Sequence, residues 1–235
     1  MDQSLDKIRI NKFLAERLGV SRREADEAII SGKVLIDDRI AVLGDRVDKN
    51  SKVCYNKKVV PFATAFSYVL FNKPVGYVCS RRAQGDAPTL YGLLPADLKH
   101  LKTVGRLDKD SSGLILLTDD GDFAFEMTHP KFAKTKVYEV ELDHALTPLH
   151  QQMISDFGVE LKDGKSRLGL MKLDETRLRW EVTMSEGRNR QIRRTFGALG
   201  YTVVKLHRTQ FGPYKLENLE EGETKRFLLG SAQGR

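Results

Sequence analysis

Cysteine is nearly absent from this chain: Cys54 and Cys79 are the only two in 235 residues. They lie far apart in sequence, and none of the five histidines stands at ligand spacing to them, so neither a disulfide framework nor a zinc site is indicated. Long apolar runs are missing too. No stretch approaches the roughly 18 residues that a membrane span needs, and the N-terminus lacks the charged-then-apolar pattern of a signal peptide. A reducing, cytoplasmic location is the expectation. Internal repeats and low-complexity tracts are also lacking. His100, His129, His144, His150 and His207 show neither triad nor metal spacing.

What the chain does have is enough apolar material for a core, 40% of residues, and an excess of positive charge, formally +7 with a pI near 9.3. A basic surface of this kind favours a polyanionic partner through phosphate contacts and counterion release. At this length one large or two unequal domains are expected.

Ile10, Phe13, Leu14 and Leu18 follow helical spacing, with Gly19 where a left-handed C-cap belongs. Ser21-Arg22-Arg23-Glu24 then reads as a capping box that starts a second helix running to about Ser31. Short strands follow at Lys33 to Ile36, Arg39 to Val42 and Val53 to Tyr55, with Asp37-Asp38 as a turn. This compact ααβ unit, residues 1–60, resembles the S4 RNA-binding domain. The matching residues are Arg9-Ile10-Asn11-Lys12-Phe13-Leu14, Gly19 to Ala25, and Gly32-Lys33-Val34 leading to Gly44-Asp45. The resemblance implies that Arg9, Lys12, Arg22 and Arg23 meet RNA phosphates.

Residues 61–66 have no clear period and contain Pro61, which marks a linker. A larger domain, residues 67–235, should follow. Strands are expected at Tyr68 to Phe71, Thr103-Val104, Leu114 to Thr118, Val137 to Leu142, Arg177 to Met184 and Thr202 to Leu206. In the fifth of these, Leu178, Trp180, Val182 and Met184 alternate with polar residues, as in a sheet with one buried face. Helices are expected at Gly121 to Thr128, at Pro148 to Phe157 with Thr147 as N-cap, and at Asn189 to Leu199 with Gly200 as C-cap. Strands and helices mixed without regular βαβ alternation indicate an α+β fold with a mixed, mainly antiparallel sheet.

Gly105-Arg106-Leu107-Asp108 followed by Ser111-Ser112-Gly113 and the apolar Leu114-Ile115-Leu116-Leu117 places a carboxylate on a glycine-bounded turn beside a buried strand, a rigid mount for a reactive group. A second basic cluster is Glu186-Gly187-Arg188-Asn189-Arg190-Gln191-Ile192-Arg193-Arg194. On a helix from Asn189, Ile192, Phe196 and Leu199 share one face, Arg193 lies nearest that apolar stripe, and Arg188 and Arg190 are left to meet phosphate. Tyr138 alternates onto the face of Val140 and Leu142, a core position that at a sheet edge could also stack on a base.

Together with Phe71-Asn72-Lys73-Pro74-Val75-Gly76-Tyr77, these segments resemble the pseudouridine synthases, specifically the RsuA-type ribosomal RNA branch. The resemblance implies that Asp108 is the catalytic aspartate, Tyr138 the active-site tyrosine and Arg193 the basic partner of the aspartate. Arg106 would brace the space left by an extruded uridine, and Arg188, Arg190 and Arg194 would contact substrate. It further implies action without cofactor or metal, by a monomer, on ribosomal RNA or an assembling ribosomal subunit. The segment after Gly76-Tyr77, with Cys79, resembles the small-subunit enzymes, and Arg188 to Gln191 the large-subunit ones; the balance leans to large-subunit RNA. Asp108, Asp110, Ser112, Gly113 and Asp119 also match positions of a calcium-binding loop, but such loops need an entering helix and normally a terminal Glu. A noncatalytic RNA-binding or assembly factor is the competing reading, and the acid at position 108 weighs against it.

Overall fold

The computed structural model describes residues 7–62, 65–82 and 84–229. Residues 63 and 64 of the expected linker fall outside this range, as do the outer ends of both expected domains. The chain divides into two units. One comprises residues up to Ser67 with His100–Lys102 and Thr118–Gly121; the other comprises Tyr68–Lys99, Thr103–Leu117 and the chain from Asp122 onward.

In the first unit β1 (Ile8–Arg9) leads directly into α1 (Ile10–Arg17), and α2 (Arg22–Ile30) follows after a tight turn. Gly19 has φ +69°, so the turn uses the left-handed conformation that glycine adopts without a Cβ penalty. The capping box is complete: the Ser21 hydroxyl accepts from the Glu24 amide at 3.1 Å, and the Glu24 carboxylate accepts from the Ser21 amide at 2.7 Å. Strands β2 (Val34–Ile36), β3 (Arg39–Ile40), β4 (Arg46–Val47), β5 (Val53–Tyr55) and β6 (Lys58–Val59) complete the unit. They pair as β1-β4 and β3-β2-β5-β6. Ile10, Phe13 and Leu14 from α1 and Ala25 and Ile29 from α2 close over Val34, Ile36, Val47 and Val53. Val60 and Phe62 join this core, the Phe62 ring 4.3 Å from that of Phe13, so the expected linker contributes to packing at its start.

The second unit is built on one nine-stranded sheet. Its strands are β7 (Tyr68–Lys73), β8 (Lys102–Val104), β9 (Ser112–Thr118), β10 (Lys136–Leu142), β13 (Gly169–Lys172), β14 (Arg179–Met184), β15 (Val203–Phe211), β16 (Tyr214–Lys215) and β17 (Thr224–Arg226). A separate hairpin, β11 (Val159–Leu161) and β12 (Gly164–Ser166), lies between β10 and β13 in sequence. The order is β13-β14-β10-β15-β9-β7-β17, with β8 on β9 and β16 on β15. β15 runs parallel to β9 and antiparallel to β10, so the sheet is mixed and mainly antiparallel, as expected of an α+β fold. All seven residues of β9 are buried, which explains its nearly unbroken apolar run.

Gly113 is where β9 and β15 come together. A Cβ there would collide with the Arg208 backbone, so only glycine allows the approach. Helices α3 (Gly121–Thr128), α4 (Pro148–Gln152) and α5 (Gln191–Gly197) accompany the sheet. Thr147 caps α4 as expected, accepting from the His150 amide, and the chain continues as one π-type turn over Met153–Phe157. The expected helix from Asn189 starts two residues late, because Arg190 takes a left-handed conformation at φ 47°, ψ 33°. No helix among the described residues is long and apolar enough to cross a membrane.

Candidate active site

Asp108 stands on the loop between β8 and β9, and that loop is held by the atoms around it. Its entrance is Gly105, at φ +72°. The Ser111 amide donates to the Asp108 carbonyl oxygen at 3.1 Å, and the Gly76 amide donates to that of Lys109 at 2.7 Å. Beneath the loop Lys73 is completely buried. Its ammonium donates to the carbonyl oxygens of Pro74, Asp108 and Ser111 at 3.0, 3.2 and 2.7 Å. Burial pushes the Lys73 pKa down, partly opposed by the charges of Cys79, Asp108 and Asp110. A charged residue that closes an apolar strand is the sequence signal for this anchor, and the composition of the strand alone gives no reason for it.

The Asp108 carboxylate faces a cleft of about 590 Å³. Arg106, Tyr138, Lys136, Glu186, Arg188 and Arg190 are among the residues lining it, together with apolar Ile192, Leu206 and Phe211. Tyr138 is buried in β10, opposite Val182 on one side and Arg208 on the other. Arg106 is exposed at the cleft and makes no ion pair among the described residues. The structure therefore brings Asp108, Tyr138, Arg106 and Arg190 to one place.

The arginine assignments need correction. Arg193, expected to pair with Asp108, is turned to Asp110 instead. Its Nε lies 3.3 Å from Asp110 Oδ2, an ionic contact without hydrogen-bond alignment. Its Nη2 donates to the Asp110 carbonyl oxygen at 2.7 Å, and its Nη1 to that of Val203 at 2.6 Å. Burial lowers its pKa. The cation paired with the Asp108 carboxylate is Arg190, 3.7 Å away, and the same guanidinium grips Asp110 through two bonds of 3.0 and 2.9 Å. The left-handed turn at Arg190 takes it off the helix and redirects its side chain, which a helical wheel begun at Asn189 does not anticipate. Asp110, which the sequence reading leaves without a role, thus holds two arginines. The hydrogen bond from Arg190 keeps its carboxyl below the usual carboxylate range.

Arg188 and Arg194 also bond within the protein. Arg188 Nη1 donates to the carbonyl oxygens of Asp163 and Gly164 and to Asp163 Oδ1, at 3.0, 2.8 and 3.1 Å. Its Nη2 reaches the Lys165 carbonyl oxygen and Glu186 Oε1, at 2.9 and 3.2 Å. Arg194 forms a two-bond pair with Asp163 at 2.9 and 2.7 Å. Gln191 ties Glu186 to Ser166. These contacts fasten the β11-β12 hairpin to the start of α5.

In the first unit Arg9, Arg22 and Arg23 are exposed. Lys12 is half-buried, 3.9 Å from Glu16 one turn on. Among the described residues no three His, Cys, Asp or Glu side chains are grouped to hold a metal ion, and β8 stands where a calcium loop would have its entering helix.

The sequence pattern of the RNA pseudouridylate synthase family matches residues 67–198, and that of the S4 domain matches residues 8–53. Two relatives are each described as "Ribosomal small subunit pseudouridine synthase A", one from Pasteurella multocida (strain Pm70) and one from Haemophilus influenzae. Each is 36% identical over 222 residues, spanning 92% of this chain and 94% of its own. A crystal structure described as a pseudouridylate synthase superposes with a TM-score of 0.68 at 34% identity, covering 96% of this chain and 98% of that one. The relatives' names point to the small subunit and overturn the large-subunit preference drawn from Arg188 to Gln191. Arg188, Arg190 and Gln191 of that segment bond within the protein, to Asp163, Asp110 and Glu186.

Proposed function

This chain belongs to the RNA pseudouridylate synthase family, and from that premise we propose that it converts a specific uridine of small-subunit ribosomal RNA to pseudouridine in the cytoplasm, with Asp108 as the catalytic group. The observation that carries the reading is the Asp108 carboxylate, rigidly mounted at a cleft that also presents Tyr138, Arg106 and Arg190. The S4 domain supplies affinity for the RNA.

Uridine and pseudouridine are isomers, so the reaction consumes no oxidant, reductant or group donor. The bond from ribose C1′ to uracil N1 breaks, the ring turns, and C5 joins C1′, C5 losing its proton and N1 gaining one. Asp108 acts either as nucleophile at C1′ or as base toward the ribose, and both roles require it ionised. The Arg190 guanidinium lies 3.7 Å from the carboxylate. The uridine must leave its stack to reach the cleft; Tyr138 then supports the extruded ring, and exposed Arg106 fills or braces the vacated space. The competing reading, a noncatalytic binding factor, gives no reason for a carboxylate mounted in this way.

Mapping pseudouridines in ribosomal RNA from cells with and without the gene tests the proposal. One small-subunit uridine should lose its modification when the gene is removed and regain it when purified protein is added to the unmodified RNA. Unchanged maps of both subunits would refute it.

A further inference from the structure

One cation in the cleft has no part in the roles given so far. Arg208 on β15 is the direct cross-strand neighbour of Tyr138 on β10, so the two side chains leave the sheet on the same face. Both line the cleft. Arg208 is 2% exposed. Its Nε donates to the Leu114 carbonyl oxygen at 2.7 Å, which fixes the guanidinium, and its guanidinium carbon lies 4.9 Å from the centre of the Phe211 ring. Nη2 is buried without a hydrogen-bond partner.

Such a donor is costly to leave unmet, and a guanidinium cannot relieve the cost by losing its proton. Lys136 adds a second cation to the same wall. Its ammonium reaches the carbonyl oxygens of Lys134 and Glu186 at 3.1 and 3.4 Å and lies 5.4 Å from the Phe211 ring. Burial, and then the charge of Arg208, lower its pKa. The wall thus carries positive charge with an unmet donor, and the acceptor it fits must arrive with the substrate. Depth decides which acceptor. Arg208 lies among Tyr138, Leu206 and Phe211, flat or apolar surfaces suited to a pyrimidine ring, whereas the phosphates of an RNA strand stay at the mouth when one base is extruded.

We propose that Arg208 is a catalytic residue that binds a carbonyl oxygen of the target uracil and stabilises the negative charge the ring gains as the C1′–N1 bond breaks. The inference rests on the function proposed above. In that step the bonding electron pair leaves with N1, producing a uracil anion whose charge is spread over N1, O2 and O4. C1′ is either taken up by the Asp108 carboxylate or left in a glycal after Asp108 removes the C2′ proton, which is later returned. C5 of the turned anion then joins C1′, either displacing the Asp108 carboxylate or adding to the glycal as the proton returns to C2′, and loss of the C5 proton with protonation of N1 completes the uracil ring of pseudouridine. A fixed guanidinium bonds the anion more strongly than the neutral carbonyl, so its contribution falls on the transition state.

The test compares RNA carrying uridine with RNA carrying 5-fluorouridine at the target position. Fluorine acidifies the ring and makes it a better leaving group. Because fluorine leaves C5 no proton to lose, the common readout is single-turnover disappearance of the target nucleoside, followed by nucleoside chromatography for wild type, Arg208→Lys and Arg208→Gln, with RNA affinity and thermal unfolding measured alongside. Removing one fixed donor of this kind typically costs about 100-fold or more in rate. A loss of that size is expected on uridine RNA for Arg208→Gln, smaller for Arg208→Lys, with unchanged RNA affinity. On 5-fluorouridine RNA the Gln variant's deficit should shrink at least about tenfold, because the leaving anion needs less help. Equal deficits on both RNAs in a folded variant would overturn the proposal, as would a loss confined to affinity. Should Arg208→Gln fail to fold, the ratio for Arg208→Lys decides alone. Wild-type protein that forms no pseudouridine would overturn the functional reading and this inference with it; active wild type with unaffected variants would overturn the inference only.

Discussion

Asp108 and Asp110 stand two residues apart and serve different ends. Asp108 keeps its carboxylate toward the cleft, while that of Asp110 is taken up by Arg190 and Arg193. Asp108→Asn should therefore abolish pseudouridine formation in single-turnover assays while folding and RNA affinity persist, since the amide keeps the shape but cannot act as nucleophile or base. Asp110→Asn should keep measurable activity reduced by about 100-fold, the cost of a group misplaced by about an ångström. Detectable product from pure Asp108→Asn, free of deamidated protein, would end the mechanism. The Asp110 variant also has an acid signature. Its carboxyl is depressed in the folded state, so its contribution to stability is present above the unfolded carboxylate pKa and is lost as pH falls through the folded value. Wild type and Asp110→Asn should thus converge in thermal stability only below about pH 4.

At the scale of elements, what was legible in the sequence was local. The α1-α2 turn, the Ser21 capping box, the Thr147-Pro148 start of α4 and the alternation of β14 are written within a few residues of where they act, and they form as read. The loop that carries Asp108 was legible for the same reason, its glycines and apolar strand being contiguous. What stayed hidden depends on partners distant in sequence. The β11-β12 hairpin, Val159-Glu160-Leu161-Lys162-Asp163-Gly164-Lys165-Ser166, has too little alternation to read as strands, and it is secured by Arg188 and Arg194 from 23 to 31 residues downstream. The pairing of Arg193 with Asp110, 83 residues apart, was equally beyond reach. Asp163→Ala removes the carboxylate those arginines share, so amide hydrogen exchange over Val159–Ser166 should quicken, with turnover reduced far less than in Asp108→Asn. Unchanged exchange would mean that the hairpin stands without them.

At the scale of the whole molecule, positive charge is the feature sequence composition conveys best, yet its distribution is visible only in the structure. The arginines after Glu186 are mostly bonded within the protein, which leaves Arg9, Arg22 and Arg23 of the S4 unit among the exposed cations available to phosphates. Replacing Arg22 and Arg23 by Gln should flatten the plot of log affinity for ribosomal RNA fragments against log salt by about 1.4, or about 0.7 per lost contact to single-stranded RNA, and leave single-turnover rates at saturating protein unchanged. A slope equal to wild type would remove these residues from the RNA interface. Salt bears differently on the loop that carries Asp108. The Lys73 ammonium sits among three carbonyl oxygens much as a potassium ion would, but it is a counterion tethered to the backbone. It cannot exchange with the medium, so the ion that shapes the loop is made with the chain and survives dilution, dialysis or a change of buffer for as long as the fold does.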